Sequence, residues 1–367
     1  MKKVIVACDS FKGTMSSTRV SEIIGEILTE KYDDVEVSSV PIADGGEGTV
    51  EAFLSALGGK IKTIKVKSPL MRDVESFYGV LPDGTAVIEL AAASGITIEN
   101  TLDAVNATTY GTGQLIMHAI ENGAKKIILG IGGSATTDGG MGCAAALGAR
   151  FLDETGKSVP LSGKGLSLVK NIDLSNVPQK VKEAEITVLC DVENPLYGEN
   201  GAAYVYSPQK GADSEAVEFL DKGLRNLAKV TAEALGEDFS SVKGAGAAGG
   251  IGFGMMSFLG ASLMSGSECI LTMADFEKRA EKADLVITGE GRMDFQSLMG
   301  KVPFAVAKKS GKTKVIAVVG LNEAPIEKVK ANGISEVYET NPHHLPFESV
   351  KDRAEEMLRE TAGKIIL

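Results

Sequence analysis

Five segments of the chain combine glycine with carboxylate, hydroxyl or cationic side chains. They are Asp9-Ser10-Phe11-Lys12-Gly13-Thr14, Ala43-Asp44-Gly45-Gly46-Glu47-Gly48-Thr49, Gly130-Ile131-Gly132-Gly133-Ser134-Ala135-Thr136-Thr137-Asp138-Gly139-Gly140, Cys190-Asp191 and Thr288-Gly289-Glu290-Gly291-Arg292-Met293-Asp294. Glycine lets backbone N–H groups approach an oxyanion closely, and a following helix N-terminus favours negative charge. Carboxylates beside a phosphate repel it unless a hard cation such as Mg²⁺ bridges the two. The segments therefore predict a site for phosphate and a divalent metal.

Any one of these segments has an ordinary structural explanation. Asp and Ser are common helix N-caps, and Gly is common in turns. Five such segments together favour a functional site, since Lys12 and Arg292 could neutralise charge on a transferring group. The sequence has 3 histidines, all outside these segments, so a general base is expected to be a carboxylate.

Alternating strand and helix patterns at both ends of the chain predict a Rossmann-like parallel sheet. The predicted strands span 3–8 and 35–40 near the start and 284–288, 314–319 and 335–339 near the end, with helices over 49–57 and 302–309. In open parallel sheets, ligands bind outside the carboxyl ends of the strands. The five segments come directly after predicted strands, which is where a site is expected.

The middle of the chain predicts a second domain of mixed α/β structure. Residues 75–81 and 85–90 flank Pro82-Asp83-Gly84, a pattern typical of a β-hairpin. Other predicted elements are strands over 60–66, 126–130 and 186–190, helices over 111–121, 140–151 and 214–235, and a flexible glycine-rich stretch over 244–254. We expect a Rossmann-like domain of 1–60, 105–150 and 280–367, an inserted α/β domain of 61–104 and 151–279, and an active site in the cleft between them.

Composition excludes several classes of protein. A length of 367 residues favours two domains, and a net charge of −11 argues against a broad surface for nucleic acid or anionic membrane. The 4 cysteines are widely spaced without metal-ligand spacing, which is typical of reduced thiols. The first residues do not resemble a signal peptide, and no apolar run has membrane-spanning length. We therefore expect a cytoplasmic protein, and these features are compatible with a homo-oligomer.

In order and spacing, the segments resemble those of the bacterial glycerate kinase family over the whole chain. The matching residues are Asp9-Ser10-Phe11-Lys12-Gly13, the stretch 43–49, Gly132-Gly133-Ser134-Ala135-Thr136 with Asp138-Gly139-Gly140, and Gly289-Glu290-Gly291-Arg292 with Asp294 and Gln296. Thr14 stands where a small hydroxyl residue, often Ser, is expected, and Met293 and Ser297 fall at variable positions. The resemblance implies a kinase, not of the P-loop type, that phosphorylates D-glycerate with ATP and Mg²⁺. It also implies a Rossmann-like domain with a second α/β domain inserted into it.

Given this resemblance, each segment has an expected role. Lys12, Asp44 and Arg292 are the expected catalytic residues: the two cations neutralise phosphate charge, and Asp44 is the base for the attacking hydroxyl. Asp138 and Glu47 are the reserve candidates for the base, and Asp191 and Asp294 are expected to hold Mg²⁺. The residues expected to bind ATP are Gly132, Gly133, Ser134, Thr136, Asp138, Gly289 and Glu290, and those expected to bind glycerate are Ser10, Lys12, Glu47, Arg292 and Gln296.

Two other functions remain open from the sequence. The residues from Gly130 to Ala135 match the G-x-G-x-x-A pattern of a dinucleotide-binding loop, which suits an NAD-dependent hydroxy-acid dehydrogenase. Against this, polar residues continue to Gly140, where the helix of such a loop should already have begun. A nucleotide or carboxylate sensor without catalytic activity could carry the same loops. For a kinase, relatives with this pattern suggest 2-phosphoglycerate as the product, with 3-phosphoglycerate as the alternative.

Overall fold

The computed structural model of the 367-residue chain describes every residue except Gln296, and of Met299 it describes the backbone. The strands are β1 (Lys2–Cys8), β2 (Val35–Ser39), β3 (Lys60–Lys67), β4 (Asp73–Val80), β5 (Ala86–Glu89), β6 (Lys126–Gly130), β7 (Arg150–Leu152), β8 (Asn171–Asp173), β9 (Glu185–Leu189), β10 (Ser262–Met264), β11 (Leu285–Met293), β12 (Lys314–Asn322) and β13 (Glu336–Glu339).

Helices connect most of these strands. The α-helices are α1 (Ser17–Lys31), α2 (Thr49–Leu57), α3 (Ala91–Ser94), α4 (Tyr110–Glu121), α5 (Met141–Ala146), α6 (Gln179–Lys182), α7 (Ala202–Tyr206), α8 (Ser214–Leu235), α9 (Ala247–Leu259), α10 (Gly266–Met273), α11 (Phe276–Ala280), α12 (Val302–Lys309), α13 (Ile326–Ala331), α14 (Phe347–Val350) and α15 (Ala354–Ala362). Short 3₁₀ helices occupy Gly163–Leu168, Pro208–Lys210, Ser297–Met299 and Lys351–Arg353. Across the described residues, no helix is both long enough and apolar enough to cross a membrane.

The chain divides into two compact units. Unit 1 contains Met1–Asp44, Glu51–Gly58 and Gly266–Leu367, and unit 2 contains Gly45–Val50 and Gly59–Ser265. In unit 1, strands β13, β12, β11, β1 and β2 form a sheet in that order, and every neighbouring pair is parallel. The predicted Rossmann-like parallel sheet, made from both ends of the chain, is therefore confirmed.

Helix α1 shows how the sequence builds unit 1. It begins after Ser16, whose Oγ accepts a hydrogen bond from the Arg19 N–H at 3.2 Å, as expected of an N-cap. Its apolar residues recur at helical spacing and form one buried face, and burying each large apolar side chain contributes about 1.5–3 kcal/mol. The core of this unit contains Val4, Val6 and Cys8 of β1 with Val20, Ile23, Ile24 and Leu28 of α1.

Unit 2 is built on a mixed sheet with the order β10, β9, β6, β5, β4 and β3. Strands β3, β4 and β5 pair antiparallel, whereas β5, β6, β9 and β10 pair parallel. The predicted hairpin between β4 and β5 is confirmed: the Thr85 N–H donates to Asp83 Oδ1 at 2.9 Å, and Gly84 has a φ of 85°. Glycine adopts this left-handed conformation without the penalty that other residues meet.

Residues 105–150, expected in the Rossmann-like domain, lie in unit 2 instead. The physical reason is the pairing of β6, which lies between β5 and β9 in the mixed sheet. The apolar run of β6 suits either sheet, so its residues do not indicate which strands it pairs with. As a consequence, the glycine-rich loop after β6 belongs to unit 2.

Two further predictions in the middle of the chain differ from the structure. The helix expected over 140–151 ends at Ala146, because Gly148, with a φ of 104°, turns the chain into strand β7. The stretch 244–254, expected to be flexible, is mostly buried, and Ala248, Gly249 and Gly250 within it have left-handed backbone angles that interrupt the start of α9. By contrast, the helix predicted over 214–235 is confirmed, with Asp213 as N-cap and the left-handed Gly236 as C-cap.

Candidate active site

Two buried carboxylates lie side by side at the edge of the unit 1 sheet where β1 ends: Asp9 follows the last residue of β1, and Glu290 lies within β11. The parallel register pairs Cys8 with Gly289, so Asp9 and Glu290 come next on neighbouring strands. The Asp9 N–H donates to the Gly289 carbonyl oxygen at 2.8 Å. Asp9 is 8% exposed and Glu290 is 6% exposed. This edge of the sheet is where open parallel sheets bind ligands.

Both carboxyl groups have elevated pKa values. Burial, followed by the charge of Asp44, raises the pKa of Asp9 to about 7. Burial also raises the pKa of Glu290 to about 7, against a hydrogen bond with Ser297 and the charge of Lys301, which lower it. The charge of Asp9 also raises the pKa of Glu290. Carboxyl groups perturbed by burial and by neighbouring charges are typical of functional sites, although ion-pair networks also produce them.

One oxygen of Glu290 is unusual. Its Oε1 atom is buried and has no hydrogen-bond partner among the described residues. A buried polar atom without a partner costs about 1–3 kcal/mol, more if it is charged, so such atoms are rare in folded proteins. Glu290, expected to bind ATP, therefore has one oxygen available to a ligand or a cation.

Lys12 and Asp44 form an ion pair beside these carboxylates in unit 1. Lys12 lies in a tight turn in which the Phe11 N–H donates to the Met15 carbonyl oxygen at 2.9 Å, and Gly13 follows with a φ of 81°. The Lys12 side chain is 72% exposed and the Asp44 side chain 32% exposed. The structure therefore brings together two of the three expected catalytic residues, with the cation accessible to a ligand.

Arg292, the third expected catalytic residue, binds a different carboxylate. Its Nε and one terminal nitrogen donate to Glu323 Oε2 at 2.9 and 2.5 Å. The Arg292 side chain is 63% exposed. Because an exposed ion pair contributes little stability, Arg292 could exchange this partner for a phosphate or carboxylate at small cost.

Asp294 stands at the start of the 3₁₀ helix Ser297–Met299. Its Oδ1 atom accepts a hydrogen bond from the Ser297 N–H at 3.1 Å, and the Asp294 N–H donates to Ser297 Oγ at 3.1 Å. This reciprocal pair fixes the chain after β11. Gln296, expected to bind glycerate, lies outside the described residues.

Two more expected site residues of unit 1, Ser10 and Gly289, are held by contacts within the unit. The Ser10 N–H donates to Asp9 Oδ1 at 2.7 Å, which holds Ser10 next to the carboxylate pair. A Cβ atom at Gly289 would lie 2.0 Å from the Val318 carbonyl oxygen. Gly289 is therefore required by the close approach of neighbouring strands, and its expected role in ATP binding has no separate support in the geometry.

In unit 2, the glycine-rich segments of 45–49 and 130–140 pack backbone against backbone. The Gly132 N–H donates to the Gly45 carbonyl oxygen at 2.9 Å. A Cβ atom at Gly130 would lie 2.6 Å from that same oxygen, and one at Gly132 would lie 2.6 Å from Gly46 Cα. These glycines permit contact between two chain segments, rather than contact with phosphate, and the Gly132 amide is already used.

The next two amides of the loop are different. None of the hydrogen bonds among the described residues uses the N–H groups of Gly133 and Ser134. The Gly133 carbonyl oxygen accepts a hydrogen bond from the Ile96 N–H at 2.9 Å, which holds the backbone beside these amides. Gly133 has a φ of 73°, a conformation that suits glycine. Adjacent backbone N–H groups without partners are suited to binding an anion.

Asp138 and Thr136, also expected to bind ATP, are completely buried. Asp138 Oδ2 accepts hydrogen bonds at 2.8 Å from both the N–H and the hydroxyl of Thr109, and Oδ1 accepts one from the Gly140 N–H at 3.0 Å. Burial raises the pKa of Asp138, and these hydrogen bonds oppose the change. Asp138 therefore anchors the loop from inside, and the geometry does not support its reserve role as a base.

Two residues outside the five predicted segments, Ala248 and Lys210, hold the same loop. Ala248 has a φ of 53°, which is uncommon for a residue other than glycine, and its carbonyl oxygen accepts a hydrogen bond from Ser134 Oγ at 3.2 Å. Lys210 is 2% exposed, and its Nζ donates to the Thr136 carbonyl oxygen at 2.5 Å. The many glycines around 248 could have indicated a special backbone, but no sequence pattern marks Lys210.

Glu47 and Asp191 of unit 2 are both exposed to solvent. Asp191 comes two residues after the end of β9, as expected from the strand pattern. In the described part of the chain, no three histidine, cysteine, aspartate or glutamate side chains come together in a group that could hold a metal ion. A metal would therefore need ligands from a bound substrate or water as well.

The whole chain is similar to known proteins. Residues 4–367 match the family model described as the glycerate kinase family. The chain is 40% identical over 368 residues to a glycerate kinase of Bacillus subtilis (strain 168), covering 99% of this chain and 96% of that protein. It is 43% identical over 341 residues to the glycerate 2-kinase of Escherichia coli (strain K12), covering 92% and 90%. A crystal structure from Salmonella typhimurium LT2, of a protein assigned as glycerate kinase 2, superposes with a TM-score of 0.86 at 40% identity, covering 99% of this chain and 96% of that one.

Proposed function

This chain belongs to the glycerate kinase family, and we propose that it transfers a phosphoryl group from ATP to D-glycerate, with Mg²⁺, to give 2-phosphoglycerate. Membership makes the chain a kinase that acts on glycerate. The match over residues 4–367 is the observation that carries this assignment. It also favours a kinase over the dehydrogenase and the sensor that the sequence had left open.

In the proposed reaction, a glycerate hydroxyl oxygen attacks the terminal phosphorus of ATP. The new P–O bond forms as the bond to the bridging oxygen breaks, ADP leaves with the bonding electron pair, and the hydroxyl proton passes to a carboxylate. Such a transfer needs mainly alignment and neutralisation of charge. At one edge of the unit 1 sheet, accessible cations can neutralise this charge, and neighbouring carboxylates can accept the proton.

Lys12 and Arg292 are the proposed cations for the phosphoryl group and the glycerate carboxylate. Each is more than half exposed, and each is held by an ion pair with a carboxylate of unit 1. Asp44, the partner of Lys12, is the proposed base, because the ion pair places an acceptor next to a cation that can bind the reacting groups. Ser10 and Glu47 stay predicted contacts of glycerate.

The loop after β6 is the proposed binding site for the ATP phosphates. The N–H groups of Gly133 and Ser134 support this proposal, since they are adjacent and lack partners among the described residues. Gly132, Thr136 and Asp138 then act by holding the loop, rather than by direct contact with the nucleotide.

The carboxylates of unit 1 have donor chemistry that suits Mg²⁺. Mg²⁺ prefers oxygen ligands and is commonly held by one or two carboxylates together with waters and substrate phosphates. The buried Oε1 atom of Glu290, which has no hydrogen-bond partner among the described residues, supports a cation site near Asp294. Asp294 is the carboxylate of this unit that we propose binds the metal. When bound, Mg²⁺ would neutralise charge on the phosphates. The involvement of Asp191 stays a prediction.

The proposal is tested by incubating the protein with ATP, Mg²⁺ and D-glycerate and measuring ADP. We expect ADP formation that depends on glycerate and stops when EDTA removes the metal. Phosphorus NMR of the product distinguishes 2-phosphoglycerate from 3-phosphoglycerate. No ADP, with a glycerate-dependent absorbance change on adding NAD, would contradict a kinase and support the dehydrogenase. The cleft, the cytoplasmic location and a homo-oligomer stay predictions.

A further inference from the structure

The 3₁₀ helix Pro208–Lys210 lies against the loop after β6. Lys210 Nζ donates to the Thr136 carbonyl oxygen at 2.5 Å, and Ser207 Oγ lies 2.9 Å from Thr137 Oγ1 in a hydroxyl–hydroxyl hydrogen bond. Consecutive residues of the loop are thus tied to the same short segment. Gly211 follows with a φ of 91°, which ends this segment sharply.

The contact extends from Thr136 to the proposed phosphate-binding amides. The Thr136 N–H donates to Ser134 Oγ at 3.1 Å, and Ser134 Oγ in turn donates to the Ala248 carbonyl oxygen at 3.2 Å. A trans peptide is planar, so fixing the Thr136 carbonyl also fixes the plane of the following amide. Lys210 therefore restrains the backbone two residues away from the Ser134 N–H.

A lysine in this position is costly to the fold. Lys210 is 2% exposed, and its ammonium group could donate three hydrogen bonds but has the Thr136 carbonyl as its hydrogen-bond partner among the described residues. Burial lowers the pKa of Lys210 to about 7, and the charge of Asp138 opposes the change. An apolar side chain of similar size would pack there at lower cost, so stability alone does not explain the lysine.

We propose that Lys210 is a positioning residue that holds the Thr136–Thr137 peptide and so keeps the N–H groups of Gly133 and Ser134 arranged for the phosphates of the nucleotide. This inference rests on the proposed function of the loop. It assigns to Lys210 no contact with ATP or glycerate. Its effect on the reaction is therefore confined to nucleotide binding.

The test compares the variant Lys210→Met with the wild type. Methionine keeps most of the buried volume, and it removes both a buried charge and the donor to Thr136. These two changes have opposite effects on stability, so we expect a Tm close to that of the wild type. We expect the KM for ATP to rise about tenfold, because the loop amides are no longer held in position for the phosphates, and the KM for glycerate to stay within about twofold. The matched control is Lys222→Met, at an exposed lysine of α8 that should leave both constants unchanged.

An unchanged KM for ATP in Lys210→Met would overturn the inference while leaving the proposed function intact. A fall in Tm with equal effects on both substrates would also overturn it, because that is the result of a purely structural role. If Lys210→Met does not fold, the variant Ser207→Ala is measured instead. It removes the neighbouring hydrogen bond to Thr137 and should raise the KM for ATP without changing the KM for glycerate. A wild-type protein that forms no ADP would instead contradict the proposed function itself.

Discussion

Asp9 and Glu290 lie on neighbouring parallel strands at the same edge of the unit 1 sheet, and burial gives both carboxyl groups a pKa of about 7. The charge of Asp9 contributes to the elevated pKa of Glu290. At neutral pH the two groups therefore compete for ionisation. A cation bound there would relieve this competition, which links metal binding to the protonation of the pair.

This pair should make stability depend on pH. In the folded state each carboxyl keeps its proton up to about pH 7, whereas the unfolded chain releases it near its ordinary pKa of 3.8 for Asp or 4.5 for Glu. The folded state thus binds more protons between these values, and its stability, complete below them, falls as the pH rises toward 7. In metal-free buffer, Glu290→Gln should be more stable than the wild type at pH 8 by about 2 kcal/mol.

Urea unfolding at pH 5, 6.5 and 8 measures this difference. The matched control Glu327→Gln, at an exposed position, should track the wild type at every pH. A Glu290→Gln variant that is less stable than the wild type at pH 8 would mean that the carboxylate has a compensating partner.

Replacing Lys12 with Met should lower kcat about a hundredfold, since removing one charge-stabilising donor typically costs this much. The fold should be unaffected because the side chain is 72% exposed and an exposed ion pair contributes little stability. Steady-state kinetics and Tm check both parts, with Lys312→Met as an exposed control. Near-normal turnover would remove Lys12 from the mechanism.

Replacing Asp44 with Asn should reduce turnover by at least about a hundredfold, the typical contribution of a general base. ATP affinity, measured by equilibrium binding, should change little because Asn keeps the volume of the side chain. Asp34→Asn, at a side chain that is 77% exposed, is the control. If ATP affinity collapses and the residual rate does not, Asp44 instead holds the nucleotide or its metal.

Replacing Gly132 with Ala should destabilise the protein by about 1–3 kcal/mol, as expected when a close-packed contact is overfilled. The new Cβ atom would lie 2.6 Å from Gly46 Cα. Gly25→Ala is the control, because a Cβ atom there meets Val37 at 3.6 Å, an ordinary contact in a helix. Equal Tm values for the two variants would contradict the packing role assigned to Gly132.

Local sequence patterns predicted most elements of both units because those elements are specified by their own residues. Helix α8 has its caps and apolar period within 214–236, and the β4–β5 hairpin has its turn residues. The partners of β6 could not be read in this way, since its five residues suit either sheet. Residues 105–150 are consequently predicted in the Rossmann-like domain, whereas they lie in unit 2.

The same limit applies to the candidate site. Lys12, Asp44 and Glu290 were predicted from the types of residue that follow strands, and the structure places them in one unit. The packing role of Gly132 was not predicted, because it depends on close contact with Gly46, which is distant in sequence. Lys210 was missed for the same reason: a single lysine has meaning only through the carbonyl it contacts.

The discontinuity of unit 1 has a consequence for synthesis of the chain. Strand β1 pairs with β11, and Val4 is aligned with Leu285, so one side of β1 has no partner until 281 more residues have been made. At 5–20 residues per second, this wait is roughly 15–55 s. The residues of unit 2 are all complete earlier, by Ser265. During translation, the edge of β1 that pairs with β11 therefore stays unpaired for this time, and an unpaired strand edge can pair with another chain.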